Sequence, residues 1–353
     1  MKKQFLFVAV AALVMASCSE DEQMAVNHGA AIDFRGAMAT RATETTTANL
    51  NDIFVTALDA AGANFFTDVQ FTNGTGTFNS ATSYYWPSDD SQLDFFAYAP
   101  SSTDLGGTLT INNTTKELAG FSPATTISAQ KDFVSCQANG KKSTNEAAGV
   151  SLTFKHQLSQ IEIMAKNASS AYVYKVVAAR IGQPKSKGTF DFGSEGWTLD
   201  GDKINYTVVD FPEITLDGTP KSLMGTTGGN AMLLPQQLTA WDPTTDKDNK
   251  THNGAYLAVK LQITTAAGAR VYPHTSVGQY DWAAVPISTN WTAGNKYVYT
   301  LDFTNGAGRV DPEKPTVTPP DKFNPGDNIL GTTPIKFTVT VTPWTDRPEN
   351  VPM

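Results

Sequence analysis

Residues 150–163 read VSLTFKHQLSQIEI, and the parity of this stretch decides the fold class. Val150, Leu152, Phe154 and Leu158 are apolar at even positions, separated by Ser151, Thr153 and Lys155. Alternation with a period of two belongs to a half-buried β-strand, because successive side chains leave opposite faces of the pleat. At Ile161 and Ile163 the apolar set moves to odd positions. A one-residue slip turns every side chain to the other face, so the switch predicts a bulge or a tight break near Ser159. His156 lies on the apolar parity, which predicts a buried, partnered core histidine rather than a metal ligand.

Working outward, the same period recurs. In YLAVKLQITT (256–265), Leu257, Val259, Leu261 and Ile263 share a face, and in KYVYTLDF (296–303) Tyr297, Tyr299, Leu301 and Phe303 do so. In IKFTVTV (335–341), Ile335, Phe337, Val339 and Val341 oppose Lys336, Thr338 and Thr340. Asn73-Gly74, inside FTNGTGTF (71–78), signals a hairpin. No segment carries a sustained helical stripe, so many short strands with frequent turns predict an all-β chain of antiparallel sandwiches. Three polar stretches divide it: 19–48; NGKKSTNEAAG (139–149); and 308–328, which carries Pro312, Pro315, Pro319, Pro320 and Pro325. Proline has no ladder donor, so the last stretch predicts an extended connector ahead of a final strand at 335–344. One β-sandwich is expected over 42–148, with Phe71, Trp86 and Phe95 in its core. A second is expected over 149–353, with Leu152, Phe154, Leu261, Tyr299 and Leu301 in its core.

The 353 residues suffice for two domains of ordinary size, and 26 basic against 34 acidic residues, with no basic run longer than a lysine pair, argue against nucleic acid as a partner. The amino terminus is organised differently. Lys2-Lys3 precedes an apolar run from Phe5 to Met15, then Ala16-Ser17 and Cys18. As a helix the run spans roughly 16 Å, against about 30 Å of bilayer hydrocarbon. It therefore predicts a signal peptide, 1–17, rather than a membrane span. Small residues directly before cysteine resemble the lipobox of bacterial lipoproteins, which implies acylation of Cys18 with fatty chains such as palmitate. Ser19-Glu20-Asp21-Glu22 resembles the acidic tag that directs such lipoproteins to the outer face of the outer membrane. Cys136 is then the single thiol left, which leaves no intrachain disulfide and no cysteine-based metal site.

Candidate chemistry is sparse. His28, His156, His252 and His274 form no metal-binding spacing, and there is no nucleophile elbow, P-loop or dinucleotide-binding glycine pattern. No catalytic residue, metal ligand or cofactor is expected. Asp242, Asp246 and Asp248 have a spacing reminiscent of calcium loops but lack the glycine and terminal glutamate of an EF-hand, so a solvated loop is the expectation. The six tryptophans, Trp86, Trp197, Trp241, Trp282, Trp291 and Trp344, sit near strand ends, where core or rim packing is expected.

The ordered set AIDFRGAMATRAT (31–43), YYWPSDDSQLDFFAYAP (84–100), VSLTFKHQLSQIEI, AMLLPQQLTAW (231–241), NWTAGNKYVYTLDFTNGAG (290–308) and IKFTVTVTPWTD (335–346), behind a lipobox, resembles the fimbrillin family of Bacteroidota, the subunits of type V pili. The resemblance implies two transthyretin-like Greek-key β-sandwich domains in tandem and a non-enzymatic role as a structural or adhesive subunit of a surface fimbria. It implies a lipidated propeptide, 18–41, that carries the first strand (residues 31–35 alternate suitably). A trypsin-like protease would cut between Arg41 and Ala42. The partners implied are other pilin subunits, self or related, joined by β-strand exchange, together with a surface ligand of host or bacterium. The membrane is met only through the lipid anchor. Ile335, Phe337, Val339 and Val341 form a candidate donor strand; alternatively, 335–344 pairs within its own sandwich with Trp344 packed at its end, as in tip subunits that never donate. A glycan-binding surface lipoprotein would share the leader and the sandwiches but would display exposed, coplanar aromatic rings, and a surface hydrolase would need polar residues converging in a cleft.

Overall fold

The fold is that of a computed structural model, which describes residues 29–38, 49–208, 212–225, 229–274, 278–314, 323–331 and 335–344. The chain is all-β apart from three short helical turns among the described residues.

The first half forms a closed ring. Strands β1 (Phe34–Met38), β2 (Asp52–Leu58), β3 (Asn64–Asn73), β4 (Phe78–Ser80) and β5 (Leu93–Ala99) are joined later in the chain by β8 (Val134–Gly140) and β9 (Val150–His156). Between them, β6 (Thr108–Ile111) and β7 (Lys116–Phe121) form a separate hairpin. The ring order is β1-β4-β3-β2-β5-β8-β9, so these strands close on themselves instead of forming two open sheets. Every neighbour in it is antiparallel except β1 and β9. The Asn73-Gly74 signal is the β3–β4 hairpin, closed by Gly74 N–H donating to Thr77 O at 2.9 Å. Phe71, Trp86 and Phe95 lie in the core of the ring, as the alternation implies.

Leu152 and Phe154 lie there too, although the polar stretch 139–149 had placed them in the second core. That stretch is a surface connection rather than a boundary. Residues Lys142–Asn145 make one helical turn, after which β9 returns to pair with β8 and β1. The parity switch near Ser159 is likewise a break and not a bulge. β9 ends at His156, and β10 (Ser159–Lys166) begins a different sheet.

In the second half, β10 pairs in parallel with Asn295–Asp302, which pairs antiparallel with the final strand Lys336–Pro343. Opposite it, β11 (Tyr172–Gly182) pairs with Tyr256–Thr265, and that strand pairs with Asp281–Pro286. Ile161 and Ile163, with Tyr299 and Leu301 of the neighbouring strand, share the core between these sheets with Tyr174, Val176 and Leu261 of the opposite one.

A third sheet joins the halves. β6 and β7 from the first half pair through β7 with β12 (Gly188–Asp191), which pairs with β13 (Gly196–Leu199) of the second. This explains why LDFFAYA in β5 lacks alternation. Phe95 and Ala97 point into the ring, whereas Phe96 and Tyr98 point outward into a cluster with Leu118, Phe121, Phe133 and Phe190. A strand covered on both faces reads as a continuous apolar run.

The proline-rich stretch is only partly a spacer. Arg309–Val310 pairs with Asp281–Pro286. Residues 326–329 fold back on it: Gly326 N–H donates to Val310 O at 3.0 Å and Ile329 N–H to Gly308 O at 3.2 Å. Phe323 and Ile329 are buried in the second core.

Candidate functional site

β1 is seated between β4 and β9. The sequence places a strand at 31–35, whereas the ladder runs from Phe34 to Met38, with Ala31 bridged to Tyr85 just before it. Ile32 and Phe34 are buried at 2% and 0% exposure, and Arg35 faces solvent. Phe34 meets Phe71 and Phe95 edge-on, with ring centroids at 4.8 and 5.1 Å. Ile32 N–H donates to Tyr84 O at 2.7 Å, Val150 N–H to Asp33 O at 3.1 Å, and Arg35 Nε to Ala148 O at 2.6 Å. Along β9 the register runs from Phe34 beside Val150 to Met38 beside Phe154. On the other side, Phe34 lies opposite Phe78 of β4. Gly36 is what lets β4 approach, because a Cβ there would lie 2.7 Å from the Phe78 ring. The slot therefore takes an extended strand with apolar side chains at alternate positions and offers backbone pairing on both sides.

The carboxyl-terminal strand is the second element of the site. Its register with Asn295–Asp302 runs from Lys336 beside Asp302 to Pro343 beside Asn295. The four apolar positions are held unequally: Ile335 is buried, Phe337 and Val339 are half-buried, and Val341 is 51% exposed. Trp344, just beyond, is buried again. The candidate donor strand is thus docked in its own unit, with Trp344 packed at its end.

A polar cluster, buried at Arg180, Gln183 and Asp311 and open to solvent at Glu313, roots the connector leading to that strand. The Arg180 guanidinium pairs with Asp311, lies 3.5 Å from the Glu313 carboxylate, and stands 4.5 Å from the centre of the Trp282 ring. Glu313 also accepts from Gln183 Nε2 at 3.1 Å, Asn205 Nδ2 at 2.6 Å and Tyr256 OH at 2.8 Å. Burial opposes its ionisation, but the Asn205 hydrogen bonds, the Arg180 charge and the Tyr256 and Gln183 donors outweigh it and hold the carboxyl below its ordinary range. Lys314 Nζ lies 2.9 Å from Asp281.

A cleft of about 620 Å³ between the halves includes Asp52, Asp104, Asp132 and Lys131 in its lining. Each of these carboxylates holds a structural partner. Asp52 accepts from the Thr72 hydroxyl at 2.7 Å, Asp104 from the Ser101 hydroxyl at 2.7 Å, and Asp132 pairs with His156 at 2.8 Å. The loop with Asp242, Asp246 and Asp248 is closed on itself. Hydrogen bonds from Thr244 and Thr245 hold the Asp242 carboxyl well below its usual range, while Asp246 accepts from Thr251 at 2.8 Å. Among the described residues no group of three or more histidine, cysteine or acidic side chains could hold a metal. Trp86, Trp241, Trp291 and Trp344 are buried, and Trp197 and Trp282 half-buried, so no coplanar exposed pair of indoles is present among them. Cys18, Arg41 and Ala42 lie outside the described residues.

Sequence reasoning missed the Arg180 cluster, whose members come from five separate segments, and the part played by His156 beyond being buried. The one available signal was the pair of acids, Asp311 and Glu313, that follows Val310 at the head of the proline-rich stretch.

A family model described as fimbrillin-like matches residues 40–344 of the chain. The fimbrium subunit Fim1C of Phocaeicola vulgatus is 28% identical over an alignment covering 46% of this chain and 50% of that protein. The chain thus spans about half the length of the curated relative it matches. The crystal structure of a fimbrial protein from Bacteroides vulgatus superposes with a TM-score of 0.60 at 17% identity, covering 89% of this chain and 99% of that one.

Proposed function

The chain belongs to the fimbrillin-like family, and from that premise we propose that it is a structural or adhesive subunit of a surface pilus whose first strand is a placeholder for a strand from a neighbouring subunit. The precursor is exported as a lipoprotein and held at the outer face of the outer membrane by acyl chains on Cys18. A trypsin-like protease cuts after Arg41 and removes β1 with the anchor. On this reading the two units are versions of the family's transthyretin-like Greek-key sandwiches, the first closed up by β1.

The observation that carries this reading is the way β1 closes the ring. It is the one parallel partner in an otherwise antiparallel circuit, and it lies three residues ahead of Arg41. Its loss uncovers Phe71 and Phe95 and strips backbone partners from β4 and β9. Burying side chains the size of Ile32 and Phe34 is worth about 1.5–3 kcal/mol each, and unpaired strand edges recruit new partners. An incoming strand needs the same alternate apolar row. Ile335, Phe337, Val339 and Val341 provide one, and because only Ile335 of the four is buried, little apolar burial is lost when the strand leaves its ladder with Asn295–Asp302. From Lys314, where the connector is rooted, residues 315–334 span on the order of 60 Å when extended at about 3.1 Å each, provided that 323–331 also undocks.

Arg41→Ala and, separately, a chain ending at Pro334 test the proposal. After protease treatment, fibres are scored by electron microscopy and by ladders that survive mild heating. Arg41→Ala should abolish incorporation. If both variants form fibres as well as the parent, strand exchange is wrong for this protein. If only the truncated chain does, the protein accepts a strand without donating one, as a tip subunit would.

A further inference from the structure

The two strand sites are physically joined. β9, which carries β1 along Val150–Phe154, ends at His156, on the same buried face as Val150, Leu152 and Phe154. The His156 imidazole stacks on the Trp344 indole, with centroids 4.0 Å apart and planes 12° from parallel. From behind, His156 Nδ1 donates to Asp132 Oδ2 at 2.8 Å, and both side chains are buried, at 1% and 3% exposure. This fixes the ring plane. Backbone hydrogen bonds run beside the stack: Trp344 N–H donates to Gly294 O at 2.8 Å, and Gly294 N–H to Leu158 O at 2.9 Å, in the break between β9 and β10. Trp344 lies in the cluster that joins the halves, with Leu158 and Phe133. The Trp344 end of the strand is therefore fastened beside the strand that bears the slot, whereas the preceding residues are held by their ladder with Asn295–Asp302 alone, with Val341 half-exposed.

We propose that the His156–Trp344 stack is an interdomain latch that keeps the carboxyl-terminal strand docked while the β1 slot is filled, and releases it when β1 leaves. This rests on the strand-exchange reading and adds an order to it. With β1 in place, β9 is paired with β1 along Val150–Phe154 and with β8 at Lys155 and His156, and presents the imidazole flat to Trp344. With β1 gone, β9 loses its parallel partner up to two residues from His156, the stack loosens, and the tail loses its distal fastening. An uncut precursor would thus hold back its own strand. Coupling of this kind is reciprocal, so loss of the Trp344 ring must also loosen β1.

Hydrogen exchange read by mass spectrometry on the uncut full chain tests the latch without any fibre being formed. Amides of Tyr256–Thr265, deep in the second unit, serve as the internal reference. Phe34→Ala should speed exchange in 336–343 at least tenfold with the reference unchanged. Trp344→Ala should speed exchange in 34–38 and 150–156 by a similar factor, and Trp344→Phe, which keeps a flat ring, should remain close to the parent. If Phe34→Ala loosens 34–38 but leaves 336–343 as in the parent, or if Trp344→Ala loosens only the tail, the latch is overturned. Should Phe34→Ala fail to fold, the Trp344→Ala arm decides alone. Strand exchange is judged separately, by fibre formation, so either idea can fail without the other.

Discussion

Phe34→Ala is the sharpest test of how firmly the amino-terminal strand is seated. The side chain is fully buried and lies edge-on against Phe71 and Phe95 at 4.8 and 5.1 Å. Truncating a buried phenylalanine costs about 3–5 kcal/mol, combining lost transfer energy with the cavity left behind. The upper half of that range is expected, because both aromatic contacts vanish and neither Phe71 nor Phe95, each buried at 0% exposure, has room to collapse. With about 2–4 °C lost per kcal/mol for domains of 150–250 residues, the melting temperature should fall by on the order of 10 °C. Calorimetry on the uncut precursor measures this directly. Arg35→Ala supplies the contrast: its contact with Ala148 O is on the exposed rim, so about 1 kcal/mol or less is expected. A loss below about 1 kcal/mol for Phe34→Ala would mean that the strand is not seated in the ring, and the reasoning from β1 would fail.

Further outcomes follow from the packing. Gly36→Ala drives a Cβ against the buried Phe78 ring and should destabilise the precursor by about 1–3 kcal/mol in urea titration, with little effect on a chain already cut after Arg41. Arg180→Ala leaves Asp311 buried without its cation and should cost about 3–5 kcal/mol by the same assay. Glu313 titrates below its usual range in the folded chain, so its contribution to stability is present above the ordinary carboxylate pKa of about 4.3 and is lost as pH falls through the folded value. Glu313→Gln should flatten that acid limb in pH-dependent melts. Burial pushes the Cys136 thiol up, so alkylation at pH 8 should be undetectable by mass until the chain is unfolded.

What could be read from the residues, and what could not, follows from the range of the forces involved. Alternation at 150–156, 256–265 and 295–302 is local and fixed those strands directly. The switch at Ser159 was visible as well, but a bulge and a passage between sheets leave the same trace in one strand, because only the distant partners, β1 and β8 against Asn295–Asp302, tell them apart. The polar stretch 139–149 looked like a boundary because surface connections and linkers share a composition. The sheet that joins the halves was invisible: β6, β7, β12 and β13 are short, and their pairing depends on contacts about 70 residues apart, such as Leu118 with Phe190. At the candidate site, the apolar row of β1 and the final strand were legible from their alternation. The stacking of His156 on Trp344 was not, since nothing local links positions that lie in different units.

On the proposed reading, the amino-terminal strand gives up its place in the ring during maturation. Intact mass and amino-terminal sequencing of the subunit recovered from washed surface fibres test it most directly. The expected result is a chain beginning at Ala42, without Ile32 and Phe34 and without lipid. Assembled subunits that still carry residues 34–38, or that begin at an acylated Cys18, would contradict it.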